Sequence, residues 1–319
     1  MKKKSSKIKS IVTGAGGFIG ANLIRKLAER GDIVLAAVHS LKRNWRLKNL
    51  PKGIILREID ITNKKQVNKI FHDFKPDYVF HLAQYGGNKK EKDENLVRKV
   101  IIEGTANVYN ACLENKNCKK IINLGSSSEY GIQKFSMSEK MIVEPNSPYA
   151  AAKVWTTLYG QYLAKEKKLP VVTLRPFSAY GPYEAGDRLI PTVIFSGLKG
   201  RKIKLGDPKT VRDFVFIDDV IKAILLAAKI ALPGDIINVG TGKQTTLEEV
   251  VKKILKILGK ETPVLIGAFR GRRFDARFWR ADTKHCENVL KWKPRHNIES
   301  GLKKTIDWFK KNINLYSFS

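Results

Sequence analysis

The chain has 319 residues, 43% of them hydrophobic, enough to bury one large core or two linked ones, and its length favours two lobes. Its net charge of +30 attracts polyanions, but the lysines are spread along the chain without interleaved aromatics, so a lysine-rich solvated surface is expected, with steering of an anionic substrate as the secondary reading, and a nucleic-acid partner is not. Cys112, Cys118 and Cys286 are odd in number and lack Cys-x-x-Cys spacing, which argues against a disulfide framework or a metal site and fits a reducing cytoplasm.

Lys2, Lys3 and Lys4 make a basic start, but Lys9 interrupts the next residues and a strand arrives at once, so no cleaved signal peptide is expected. That strand, around Ile8, Ile11 and Val12, runs into Gly14-Ala15-Gly16-Gly17-Phe18-Ile19-Gly20 and then into 21–28, whose apolar positions recur at helical spacing. Strand, glycine loop and helix in this order make a dinucleotide cradle. Gly14, Gly17 and Gly20 let the backbone turn, approach a pyrophosphate and pack helix on strand, with the phosphate at the helix N-terminus. Gly14, Gly17, Phe18, Ile19 and Gly20 are therefore candidate cofactor-binding residues.

A second strand is predicted over 33–38. Where a dinucleotide fold often carries an acid for the adenosine ribose, His39 and Ser40 stand instead, followed by Lys42, Arg43 and Arg46. His39 and Arg43 are candidate cofactor contacts, and the absence of an acid leans towards NADP over NAD. The third strand, 55–59, ends in Asp60 and Ile61, placed to touch the adenine, although Asp60 could equally cap the helix that begins near Asn63. A fourth strand, 77–83, brings Leu82 and Ala83 to the same edge and leads into a loop at 84–88. A helix over 95–115 and a fifth strand over 120–124 come next, the latter ending in Gly125-Ser126-Ser127-Ser128-Glu129-Tyr130-Gly131.

Strands alternating with helices imply right-handed crossovers and a parallel sheet, whose ligands bind beyond the carboxyl ends of its strands. The glycine loop and the serine run share that edge. So does Ser147-Pro148-Tyr149-Ala150-Ala151-Ala152-Lys153, where Pro148 suits the first position of a helix and puts Tyr149 and Lys153 on one face. The lysine charge favours the phenolate, which makes the tyrosine a usable acid and base near neutral pH. Tyr-x-x-x-Lys also occurs at Tyr85/Lys89 and Tyr130/Lys134, but glycines break those stretches, whereas three alanines hold the third rigid.

A sixth strand over 171–175 closes the regular alternation, and glycines and prolines then punctuate a looser region. No apolar run approaches the roughly 20 residues of a membrane span, since 220–232, the most apolar helical stretch, is cut by Lys222 and Lys229. A strand over 235–239 and helices over 247–258 and 298–312 complete the chain. The expected fold is α/β, a Rossmann-type doubly wound parallel sheet with helices on both faces over 1–175, joined by a strand near 235–242, with a smaller substrate-binding lobe over 176–319.

With these pieces in order the chain resembles the extended short-chain dehydrogenase/reductases that act on nucleotide sugars as epimerases, 4,6-dehydratases and 4-ketoreductases. The resemblance rests on Gly14 to Gly20, His81-Leu82-Ala83, Ser126 to Gly131, the Tyr149/Lys153 pair, Leu174-Arg175-Pro176-Phe177 with Tyr180-Gly181-Pro182, and Arg212-Asp213-Phe214-Val215 with Asp218-Asp219-Val220. It implies a tightly bound NAD(P), a nucleoside-diphosphate sugar substrate and a homodimer packed through the helices of 95–115 and 149–165. It also implies the roles. Tyr149 takes the proton of the sugar's C4 hydroxyl while hydride leaves, Lys153 holds the nicotinamide ribose and the tyrosine's pKa, and Ser127 hydrogen-bonds the reacting oxygen. Glu129 stands where dehydratases carry the acid that removes the C5 proton, with Ser128 before it. Arg212 is expected on the substrate diphosphate, with Arg272 or Arg273 as a second clamp, and Tyr85, Ser128, Ser178, Arg188 and Leu189 line the sugar. Ile101 and Ser178 depart from the family's usual asparagines. A 4-epimerase or 4,6-dehydratase is the leading expectation, a net NADPH-dependent reductase of a 4-keto-6-deoxy sugar the alternative, and a redox-silent cofactor sensor or nucleic-acid-binding protein the distant one.

Overall fold

The computed structural model describes residues 7–42, 44–87, 91, 93–268 and 277–316. In chain order it runs β1 (Lys9–Thr13), α1 (Phe18–Glu29), β2 (Ile33–Val38), β3 (Ile54–Glu58), α2 (Lys64–Phe74), β4 (Tyr78–His81), α3 (Glu94–Val97), a π-helical turn (Arg98–Glu103), α4 (Gly104–Glu114), β5 (Lys120–Leu124), α5 (Pro148–Lys167) and β6 (Val171–Pro176). It continues through β7 (Ser178–Tyr180), α6 (Leu189–Leu198), β8 (Ile203–Leu205), β9 (Val211–Arg212), β10 (Phe214–Phe216), α7 (Ile217–Ile230), β11 (Ile236–Val239), β12 (Thr245–Thr246), α8 (Leu247–Leu258), β13 (Val264–Ile266), α9 (Lys284–Leu290) and α10 (Ile298–Lys311). Two compact units result. Met1–Glu129, Ser147–Arg175 and Ile224–Ile237 form the first, and Tyr130–Asn146, Pro176–Ala223 and Asn238–Ser319 the second.

The first unit is built on a seven-stranded parallel sheet in the order β11-β6-β5-β4-β1-β2-β3. Parallel strands are covered on both faces and so read as near-continuous apolar runs, as Ile33–Val38 does throughout and Val171–Pro176 does apart from Thr173 and Arg175. Ile11, Val34, Val79, Ile121 and Val172 are fully buried, each contributing about 1.5–3 kcal/mol through apolar area removed from water. The strand order reverses at β1, which pairs with β2 on one side and β4 on the other. Such a switch point opens a crevice at the carboxyl ends of the strands.

Local chemistry sets the helix ends. Ser147 caps α5 by accepting the Ala150 N–H, Pro148 fills its first turn, and Lys168 closes it at φ 58°. Asn63 caps α2 by accepting the Gln66 N–H. Asp60, the other candidate for that cap, instead accepts the N–H and hydroxyl of Thr62. The helix predicted over 95–115 is interrupted by the π-helical turn, and the third strand lies one residue earlier than predicted.

In the second unit, β7 pairs with β10, β12 with β9 and β13 with β8. Its buried acids organise loops. Asp213 accepts the N–H groups of Thr241, Gly242 and Ala281, and Asp219 accepts those of Arg295 and His296. Among the described residues no helix is long and apolar enough to cross a membrane.

Candidate active site

Gly14 and Gly20 are glycines for a reason visible in the packing. Gly14 sits at φ +67°, and a Cβ there would lie 2.6 Å from the Ala83 nitrogen; at Gly20 a Cβ would overlap the Gly14 carbonyl oxygen. The β1 turn is thus pressed against the end of β4 on one side and against α1 on the other. Gly17 is the N-cap of α1 and offers no side chain to its first N–H groups, so Phe18 and Ile19 open a helix whose positive end is uncapped. This cradle fits the pyrophosphate of a dinucleotide. Leu82 and Ala83 close it from β4, their N–H groups donating to the carbonyl and hydroxyl oxygens of Thr13.

At the end of β2, His39 is exposed. An acid of the neighbouring strand lies at the same end. Glu58 of β3 is in register with Val38, and its carboxylate accepts the Leu41 N–H at 3.1 Å. Ile61 is buried beneath Gly104, where a Cβ would meet its side chain. Arg43, Arg272 and Arg273 lie outside the described residues.

Tyr149 stands in the first turn of α5, its ring packed with Tyr85 against buried Val97, Ile101 and Ala152. Its hydroxyl donates to Gln84 Oε1 at 3.0 Å. Lys153, one turn on and 3% exposed, donates to the Leu124 carbonyl at 2.7 Å, with Nζ 5.8 Å from the centre of the Tyr149 ring. Burial pushes its pKa down to about 8, against the field of Glu129, which pulls it up. The predicted pair is therefore assembled on the carboxyl edge of the sheet with its ammonium inside.

The serine run forms a 3-10 turn, Ser127–Tyr130. Ser127 is buried, Ser128 is half-buried, and Ser126 accepts the Ser128 N–H through its hydroxyl at 3.1 Å. Glu129 departs from the expectation of an acid facing substrate. It is 0% exposed and points inward, Oε1 accepting the Ser126 N–H at 2.8 Å and Oε2 accepting Thr157 Oγ1 at 2.9 Å and Arg175 Nε at 2.9 Å. Burial raises its pKa, and Arg175 opposes that. A carboxylate needs compensation to sit in the interior, and the guanidinium, the threonine hydroxyl and the backbone N–H provide it.

In the second unit Ser178 lies on β7 with its N–H donating to the Asp213 carbonyl at 2.9 Å. Arg188 is exposed at the N-cap of α6, and Leu189 is its half-buried first residue. Arg212 is half-buried on β9, its guanidinium 5.4 Å from the Trp279 ring centre and its Nη1 donating to the Val211 carbonyl.

Several functional groups were not evident from the residues alone. Gln84 holds the Tyr149 hydroxyl, while Arg175 and Thr157 hold Glu129. A buried chain runs from Thr13 through His81 to Thr105, with Thr13 Oγ1 to Nδ1 and Thr105 Oγ1 to Nε2 both 2.8 Å. Burial drives His81 to a pKa of about 3, so the ring is neutral and serves as a fixed hydrogen-bonding post. A signal for the ion pair was present: an arginine inside the apolar run of β6 requires a buried acid.

The sequence profile of the NAD dependent epimerase/dehydratase family matches residues 10–240. UDP-glucuronate 4-epimerase of Thermodesulfobacterium geofontis is 31% identical over 317 residues, covering 96% of this chain and 97% of that protein. A probable dTDP-glucose 4,6-dehydratase of Sinorhizobium fredii is 28% identical, covering 95% and 93%. Among solved structures, UDP-glucose 4-epimerase of Thermotoga maritima with UDP-glucose superimposes with a TM-score of 0.89 at 28% identity, covering 96% of this chain and 100% of that one.

Proposed function

The chain belongs to the NAD-dependent epimerase/dehydratase family of extended short-chain dehydrogenase/reductases, and from that premise we propose that it is a 4-epimerase of a nucleotide-activated hexose. The observation that carries the epimerase reading is the burial of Glu129. A dehydratase working through this acid needs a carboxylate that reaches the sugar's C5 proton, whereas here both oxygens are engaged in the interior.

In this reading Tyr149, as phenolate, accepts the proton of the C4 hydroxyl, which takes the place of Gln84 on the phenol oxygen. Bound NAD supplies the acceptor, and afterwards the donor, of the C4 hydride. Tyr149 then returns its proton to the C4 oxygen after the 4-keto sugar has presented its other face. Lys153 keeps positive charge beneath the ring and so favours the phenolate, and Ser127 donates to the reacting oxygen. Gly14, Gly17, Phe18, Ile19 and Gly20 hold the pyrophosphate, and Arg212 holds the substrate diphosphate. Glu58 beside the end of β2 supports NAD over NADP, because a carboxylate accepts from a free ribose hydroxyl and repels a 2′-phosphate.

A homodimer in the cytoplasm belongs to the same reading. Leu158 and Tyr162 of α5 are 52% and 51% exposed, and Trp155, Tyr159 and Tyr162 form a stacked row along that helix.

UDP-glucose, UDP-glucuronate and dTDP-glucose incubated with the protein and NAD, without reductant, test the proposal by NMR. The expected product is the C4 epimer of one of them. A 4-keto-6-deoxy product would overturn the epimerase assignment, and no product from any of the three would overturn the reading as a whole.

A further inference from the structure

We propose that Glu129 is a positioning residue, which locks the helix of Tyr149 to the serine turn and keeps Lys153 protonated. The inference rests on the proposed roles of Tyr149 and Lys153 in the epimerase reading. Its basis is geometric. The Glu129 carboxylate joins three elements: the turn after β5 through the Ser126 N–H, β6 through Arg175, and α5 through Thr157. The Arg175 Nη2 adds a contact of 2.7 Å to the Nε bond, so the guanidinium grips one oxygen from two nitrogens.

Thr157 lies four residues beyond Lys153, which lies four beyond Tyr149, so all three share one face of α5. The clamp therefore holds the stripe of the helix that carries the reactive pair. Gly125 makes room for it, since a Cβ there would lie 2.6 Å from Glu129 Oε1. An acid built to collect a substrate proton has no use for an arginine, a threonine and a backbone N–H that all hold it inward.

The electrostatic part comes from the groups around Lys153. His81 on β4 is neutral, Tyr109 on α4 is a buried phenol with its pKa raised by burial, Tyr149 is on α5 itself, and Arg175 on β6 is a second cation. Glu129 is the acid whose field reaches Lys153 and opposes the loss of its proton. Without it Arg175 loses the carboxylate that its Nε and Nη2 contact, and Lys153 loses the acid whose field raises its pKa.

The test uses the full-length protein with ¹³C-labelled lysine. NMR titration follows the Lys153 resonance, identified by its absence in Lys153→Met. In Glu129→Gln the titration is expected to move to lower pH by on the order of one unit, and in Glu129→Asp, which keeps the charge, to return most of the way. An unmoved Lys153 titration in Glu129→Gln overturns the electrostatic part. Thr157→Val leaves the ion pair intact and is expected to fold as wild type, with kcat lowered roughly 3- to 10-fold at constant KM by misplacement of the pair. An unchanged kcat overturns the positioning part, whether or not Glu129→Gln folds. If instead Glu129→Gln retains C4 oxidation and loses solvent deuterium exchange at C5, the residue is a substrate base and the inference fails. Full activity in Tyr149→Phe would sink the parent reading while leaving the Lys153 titration to stand on its own.

Discussion

In the proposed reaction Tyr149 and Lys153 divide the work of one proton transfer between an accessible phenol and a buried amine. Replacing Tyr149 by Phe removes the acid and base but neither the packing nor the cofactor cradle, so kcat is expected to fall by about 10²- to 10⁴-fold with KM little changed. Steady-state kinetics on the active nucleotide sugar check it. Lys153 sets the alkaline limit. With its pKa at about 8, activity should decline above that pH as the ammonium is lost. The same shift bears on stability with the pH slope of any group whose folded pKa lies below its unfolded one. The folded value of about 8 lies below the ordinary 10.5, so the unfolded chain binds more protons between the two, and stability rises with pH across that window. Lys153→Met should therefore raise the thermal midpoint at pH 7, by a margin that shrinks as the pH rises through 8 to 10.5, while abolishing turnover. A melt series at several pH values beside an activity assay reads both effects.

Among the elements, the β1 turn and α8 make opposite predictions. Gly14→Ala places a Cβ against the Ala83 backbone in a left-handed conformation, at a cost of about 1–3 kcal/mol, and should lose NAD binding by calorimetry along with stability. Thr246→Ala removes the capping box of α8, in which Thr246 and Glu249 satisfy each other's N–H groups. It should cost about 1 kcal/mol in chemical denaturation and leave kcat/KM unchanged. Elements of this kind were legible in the residues, because caps, glycine turns and two-sided apolar strands are written within a few positions of one another. The π-helical turn Arg98–Glu103 was not. An extra residue in a helical turn is decided by what the helix packs against, and Ile101 there is buried beside Ala152 of α5.

For the whole molecule the charge of +30 and the exposed row on α5 carry the expectations. A positive surface concentrates an anionic nucleotide sugar, so KM should rise with added salt at constant kcat as screening lengthens the search. Sedimentation is expected to give a dimer, and Leu158→Glu with Tyr162→Glu a monomer, since charges on the exposed face of α5 would have to be buried in the assembly. A dimer that survives both substitutions would place the interface elsewhere.

Short-range chemistry determined what the residues alone could specify: the alternation of strands and helices, the glycine cradle, and the rigid turn that sets Tyr149 beside Lys153. These arise from neighbours in the chain, through backbone freedom, apolar period and helical spacing. Tertiary structure decided what side chains separated in sequence do to one another. Glu58 meets the end of β2 only because β3 pairs there, Gln84 reaches Tyr149 across 65 residues, and Glu129 turns inward to Arg175, 46 residues away. A motif specifies that an acid is present; the direction of its carboxylate is set by whichever donors the fold brings near, because a buried charge goes where it can be compensated.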